Sequence, residues 1–156
     1  MNKTIAIMAA ALTLGGSLSQ TEAQVNIQKN NITLQSDRMT PEALWAMGRI
    51  GGAQASPDGR RIAYQVGYYS VKENKGHQIL YVMDADGKNI RQLTTDAKNE
   101  TDAAWIEGGR RIAFLRDGQL WAMNADGTGR RQLTNDKTDI EGFKFSPDGR
   151  HVLLIK

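Results

Sequence analysis

Along most of this chain the apolar residues come in short runs, each closed by a polar cluster containing Gly, Asp or Asn. Arg111 to Leu115 is rich in β-branched and aromatic side chains, which predicts a strand. Asp117-Gly118 follows as a two-residue hairpin signal, and Gln119 to Met123 reads as the returning strand. Asn124-Ala125-Asp126-Gly127 is a longer turn, Arg130 to Leu133 a further strand, and Phe143-Lys144-Phe145 the start of another unit. The turn Ser146-Pro147-Asp148-Gly149 has its own chemical logic. Proline sets φ, aspartate caps the turn, and glycine accepts positive φ. Helical periodicity is absent from this part of the chain.

The pattern repeats. Gly59-Arg60-Arg61-Ile62-Ala63-Tyr64 returns as Gly109-Arg110-Arg111-Ile112-Ala113-Phe114, and more loosely as Gly149-Arg150-His151-Val152-Leu153-Leu154. Met83 to Gly87 returns as Met123 to Gly127, and Gln92-Leu93-Thr94 as Gln132-Leu133-Thr134, both at a spacing of 40 residues. The first motif is spaced 50 and then 40, so one unit carries ten extra residues, placed in an enlarged hairpin loop over Gly67 to His77. Four short antiparallel strands in about forty residues is the period of a β-propeller blade. The fold class expected is therefore all-β, a partial propeller of about two and a half four-stranded blades, occupying residues 53–156. A ring takes about four to eight blades to close. The chain is accordingly expected to be the N-terminal part of a longer protein.

Ahead of the repeats the pattern changes. Lys3 precedes an uncharged, mostly apolar stretch from Ile5 to Leu14, and Thr21-Glu22-Ala23 resembles a small-x-small cleavage site. Residues 1–23 therefore read as a signal peptide, since a membrane-crossing helix needs about 20 apolar residues. The mature protein is expected to be periplasmic or secreted, with no membrane insertion. Residues 24–39 are polar and without a clear period, a linker or arm. Residues 40–52 are read as a short helix leading into the first blade. Thr40 suits the N-cap, Pro41 the first helical position, and Glu42 the positive helix end. Leu44, Met47 and Trp45 are expected on its buried side, with Gly48 or Gly51-Gly52 stopping it.

Composition narrows the chemistry. The 156 residues contain no cysteine, which excludes a disulfide scaffold, a thiolate metal site and a cysteine nucleophile. The net charge of +3 arises from interleaved signs without a basic arm, so no nucleic-acid partner is expected. Asp84 and Asp86 suggest a calcium loop, but Lys88 and Arg91 follow where acidic ligands are needed, and Asn124 replaces the first aspartate in the second copy. Ser36, Ser56, Ser70 and Ser146 lack the Gly-x-Ser-x-Gly context of an activated nucleophile. His77 and His151 have no evident partners, and Trp45, Trp105, Trp121, Phe114 and Phe145 read as packing between blades. Gly127-Thr128-Gly129 is too short for a phosphate loop. No catalytic, cofactor-binding or metal residue is assigned, and no cofactor is implied.

One combination of motifs is specific: an export signal, then Leu44 to Ile50, then Ser56 to Tyr64. It resembles the start of exported bacterial prolyl oligopeptidase-family enzymes, closest to the dipeptidyl peptidases among them. The copies at Met123 to Gly127 and Arg130 to Thr134 strengthen the likeness, and also resemble the propeller repeats of the periplasmic protein TolB. The first resemblance implies a propeller that gates entry of oligopeptide substrates to an α/β-hydrolase domain bearing a Ser-Asp-His triad. That domain would lie downstream of Lys156, so no triad residue falls on this chain. The second implies a propeller that binds envelope proteins without catalysis. Between them, a Gly-x-Ser-x-Gly motif downstream would decide.

Overall fold

The turn residues set where each strand ends. In the computed structural model, which describes residues 27–29 and 37–156, ten strands form three antiparallel sheets. The first contains β1 (Arg49–Ala55), β2 (Arg61–Ser70), β3 (Lys75–Asp84) and β4 (Arg91–Gln92) in chain order. The second contains β5 (Glu100–Ile106), β6 (Arg111–Arg116), β7 (Gln119–Asn124) and β8 (Arg131–Gln132). The third pairs β9 (Gly142–Phe145) with β10 (Val152–Ile155). These are two four-stranded propeller blades and the opening hairpin of a third. The expected signal peptide and most of the arm lie outside the described residues. No helix among the described residues is long and apolar enough to cross a membrane.

The sequence repeat is reproduced bond for bond. Gly87 N–H donates to Asp84 O and Gly127 N–H to Asn124 O, at 2.9 and 2.8 Å. Leu80 N–H donates to Thr94 Oγ1, and forty residues on Leu120 N–H donates to Thr134 Oγ1. In the Ser-Pro-Asp-Gly turns, Ser56 Oγ and Ser146 Oγ each donate to the aspartate two residues on at 2.5 Å. Each also accepts a backbone N–H five residues on, from Arg61 and His151 respectively. As expected, the hydroxyls are committed to the turns. Asp117 and Gly118 both take positive φ, 49° and 66°, the geometry a two-residue hairpin requires.

Alternation then builds the core. Ile112 and Phe114 point from β6 toward the first sheet, joining Ala63, Leu80, Val82 and Leu93 in one cluster. Ala113 and Leu115 point the other way, toward Ile140, Phe143, Phe145 and Leu154 of the third unit. Because β6 is covered on both faces, residues 112–115 are all buried, and the strand reads as a continuous apolar run rather than an alternating one. Phe114 has no solvent exposure, which is worth about 1.5–3 kcal/mol of burial. Trp105 adds a link between sheets, donating from Nε1 to Gln54 O at 2.9 Å beneath the Arg61 guanidinium.

Two expectations need correction. The ten extra residues are not an enlarged loop. They lengthen β2 and β3 into ten-residue strands paired without interruption from Arg61↔Asp84 to Ser70↔Lys75, leaving only residues 71–74 as a turn. Gly67, Gly76 and the surrounding polar residues hid the alternation that places Val66, Tyr68, His77 and Ile79 inside.

The helix, α1 (Pro41–Ala46), is capped as expected, Thr40 Oγ1 accepting from Ala43 N–H at 3.2 Å. However, it buries only Ala43, and Leu44, Trp45 and Met47 remain exposed. A helix of six residues has fewer than two turns and presents one residue to its support. It stops at Met47, which is extended, before Gly48; Gly51 and Gly52 lie instead inside β1, at its bulge.

Candidate functional site

Each complete sheet has four strands, so the chain enters and leaves it at the same end. The start of β1, the β2–β3 turn and the connection from β4 to β5 all share that end. β1 packs against β5, and β5 against β9, which makes the first strand of each sheet the neighbour of the next. A cleft of about 550 Å³ opens at this end between the first and second sheets. Arg49, Gln65, Tyr68, His77, Asn99 and Thr101 are among its lining residues.

Local sequence explains this lining. Glycines at 51, 67 and 76 leave the strand backbones bare along the cleft wall. The Gly51 position lies so near the Gln65 side chain that an added Cβ would meet Gln65 Nε2 at 3.1 Å. Gln65 Oε1 is buried and has no hydrogen-bond partner among the described residues. Asn99 Oδ1 accepts from Gln78 N–H at 2.8 Å, tying the inter-sheet connection to β3. His77 is buried between two carbonyls, with Nδ1 2.5 Å from Ile27 O and Nε2 2.9 Å from Lys98 O. It therefore joins the arm, the long hairpin and the connection to the second sheet.

Beside the cleft lies a charged seam. Arg116 Nη1 donates to Asp96 Oδ2 at 2.9 Å and to Glu100 Oε1 at 3.0 Å, and Arg130 Nη1 donates to Asp96 Oδ2 at 2.8 Å. Glu100 is fully buried. Burial pushes its carboxyl above the usual range, against the Thr94 hydrogen bond and the two arginines. Asp96 goes the other way. Burial acts to raise it, but hydrogen bonds from Arg116, Lys98 N–H and Arg130 outweigh that and hold it low. On the far face of the first sheet, burial and the Tyr68 hydroxyl, 3.3 Å away, hold the Tyr81 phenol well above its ordinary value.

The residues singled out from sequence are scattered rather than gathered. Asp84 Oδ2 accepts from Asn89 Nδ2 at 2.6 Å, and Asp86 accepts from Lys88 N–H while pairing with the Lys88 ammonium. Both are turn carboxylates. Among the described residues no group of three His, Asp or Glu side chains could hold a metal ion. Ser56 and Ser146 serve turns, Ser70 Oγ accepts from Glu73 N–H, and Ser36 lies outside the described residues. His151 is exposed, just ahead of β10. Trp105 and Trp121 pack against the core between the first two sheets, as expected, and Phe145 against the next one.

Two features of this end escaped the sequence reading. The repeat could have exposed one of them, because the forty-residue offset aligns Glu100 with Ile140. Both are buried, so a carboxylate stands where the next copy has an apolar core residue. His77 has no counterpart in the second unit, so comparing the copies carries no signal for it.

No family model matches the chain. It is 40% identical over 160 residues to dipeptidyl-peptidase 5 of Porphyromonas gingivalis, an alignment that covers all of this chain and 22% of that protein. The chain thus spans about a fifth of the length of this relative. Among solved structures it is similar to the β-propeller domain of the trilobed protease from Pyrococcus furiosus, with TM-score 0.54 and 18% identity over 69% of this chain and 33% of that one. A TolB from Agrobacterium tumefaciens matches with TM-score 0.52 and 20% identity, over 70% of this chain and 44% of that one. At these identities the structural likenesses speak for the propeller fold.

Proposed function

The chain is homologous to dipeptidyl-peptidase 5 along its whole length and folds as peptidase propeller domains do, and from that premise we propose that it is the N-terminal part of the substrate-gating propeller of an exported serine exopeptidase. The observation that carries this reading is the 40% identity across the full chain. In this reading the α/β-hydrolase domain, with its Ser-Asp-His triad, belongs to further polypeptide of the same protein. The propeller sheets contribute part of the wall and rim through which short peptides reach the triad. The cleft at the entry end suits that work. It offers an arginine, three side-chain amides and bare strand backbone to an extended peptide. The apolar run from Ile5 to Leu14 supports export to the periplasm or beyond.

An antibody raised against residues 78–134, combined with a fluorophosphonate probe on fractionated cells, tests the proposal. The expected species is several times heavier than 17.2 kDa, sits in the envelope or secreted fraction, takes the probe, and releases dipeptides from oligopeptides. A band near the calculated mass would sink the enzyme reading. A heavy band that refuses the probe would favour the second reading, a TolB-type propeller that binds envelope proteins, for which the TolB-like fold speaks.

A further inference from the structure

The copies of the repeat part company at one position of their second strands. Gln65 of β2 stands where the second copy carries Leu115 and the third Ile155. In the second sheet Ala113 and Leu115 face the third unit, and Leu115 is buried against Ile140. By the same alternation Ala63 and Gln65 face the second sheet, Ala63 within the shared core and Gln65 at the wall of the cleft. An amide thus occupies a position that is otherwise apolar. Its Oε1 is buried and has no hydrogen-bond partner among the described residues. A buried acceptor left unmade costs stability, so the glutamine points to a donor that arrives from outside.

The strand opposite has changed with it. Gly51 pairs with Gln65 as Thr101 pairs with Leu115, so Gly51 and Gly52 replace Thr101 and Asp102 of the second copy. The bulge between Gly51 and Ala53 therefore leaves bare backbone beside the Gln65 amide. A Cβ at Gly51 would stand 3.1 Å from Gln65 Nε2, and one at Gly52 3.4 Å. β1 is also the edge of its sheet and is exposed along most of its length. Arg49 and Asn99 line the same cleft of about 550 Å³. The Arg49 guanidinium is held against the Trp45 ring and donates from Nη2 to Leu44 O, with further N–H groups to spare. Asn99 Oδ1 is taken by Gln78 N–H, which leaves its amino group as a donor.

We propose that this cleft is a subsite for the main chain of an extended peptide, in which the Gln65 amide recognises one peptide unit; this rests on the reading of the chain as a propeller that admits peptides. A glutamine amide carries an acceptor and two donors, so it matches the N–H and C=O of a single peptide unit whatever side chains flank that unit. Its last torsion is soft, and a half-turn exchanges Nε2 and Oε1 at the cleft wall. The two glycines let the peptide backbone lie close to β1, as an added strand lies against a sheet edge. Arg49 and Asn99 donate to carbonyls further along the peptide. The consequence is a rule of selection. One peptide N–H is demanded at a fixed place, so a chain with proline there is admitted poorly.

Hexaalanine and its single-ester variants test this, because replacing one amide by an ester removes one N–H without adding bulk. Binding is measured by calorimetry on the full-length protein, treated beforehand with the fluorophosphonate probe so that nothing is hydrolysed. One ester position is expected to weaken binding at least about fivefold in the parent, the effect of about one hydrogen bond. In Gln65→Leu, which carries the residue of the second copy, the same ester is expected to cost less than about twofold. Gln65→Ala repeats the comparison without the bulk of leucine, in case the first variant does not fold. Equal losses in parent and variants, no ester position that stands out, or no binding of hexaalanine each overturn the proposal. Labelling by the probe separates the two ideas. Labelled protein without a Gln65-dependent loss sinks the subsite alone, whereas a Gln65-dependent loss in protein that refuses the probe sinks the peptidase reading and leaves a propeller that binds peptides.

Discussion

Gly118 and Gly87 occupy turns of the same hand, at φ 66° and 82°, but their surroundings differ. A Cβ at Gly87 would meet open space, whereas one at Gly118 would run into the Asp139 carboxylate. Gly87→Ala is expected to cost about 1–2 kcal/mol, the backbone strain of an alanine at positive φ. Gly118→Ala should cost visibly more, and urea midpoints of the two variants check the order. Glu100 invites a pH experiment. Its folded pKa is raised above the ordinary 4.5 by burial, so its stabilising share is full below that value and is lost as pH rises through the folded one. Glu100→Gln cannot ionise. The melting temperature of this variant relative to the parent should therefore climb as the pH rises above 4.5, measured by circular dichroism. The turn aspartates run the opposite way. Asp58 and Asp148 are held low, each chiefly by the hydroxyl of its own turn serine, so their contribution is present above 3.8 and lost on further acidification.

At the scale of elements, strands and turns were legible because their determinants are local. The Asp117-Gly118 hairpin, the Ser-Pro-Asp-Gly turns and the strand from Arg111 depend on residues within a few positions of one another. The long hairpin was not legible, because its inner face is specified by what covers it. Val66, Tyr68 and His77 alternate correctly, yet the intervening glycines and charges imitate a loop. The helix was legible in its cap and not in its packing, since Thr40, Pro41 and Ala43 act locally whereas the exposure of Leu44 is set by which distant neighbours reach it. Trp105 joins two elements through one hydrogen bond and one guanidinium. Trp105→Phe keeps an aromatic face and loses the bond to Gln54 O, so a loss of about 1 kcal/mol is expected in urea unfolding.

For the whole molecule, the sheets stand or fall together because each shares its faces with its neighbours. Phe114 lies at the centre of the layer between the first and second sheets. Phe114→Ala should cost about 3–5 kcal/mol, and native-state hydrogen exchange should show faster opening in both β2 and β6. A loss confined to β6 would mean that the sheets unfold independently.

By itself the sequence determined the strand grammar, the forty-residue repeat and, from these, the propeller fold, because alternation, turn chemistry and periodicity are short-range properties that chain order alone expresses. Only the tertiary structure decided that Glu100 is a buried acid between two arginines, that His77 lies between two carbonyls, and that α1 packs on the long hairpin through Trp45 and Tyr69. Each of those facts depends on partners at least sixteen residues away in the chain, Glu100 meeting Arg116, His77 meeting Lys98 and Ile27, and Trp45 meeting Tyr69. Burial and electrostatics are set by what surrounds a group in space, and a linear pattern does not carry that information.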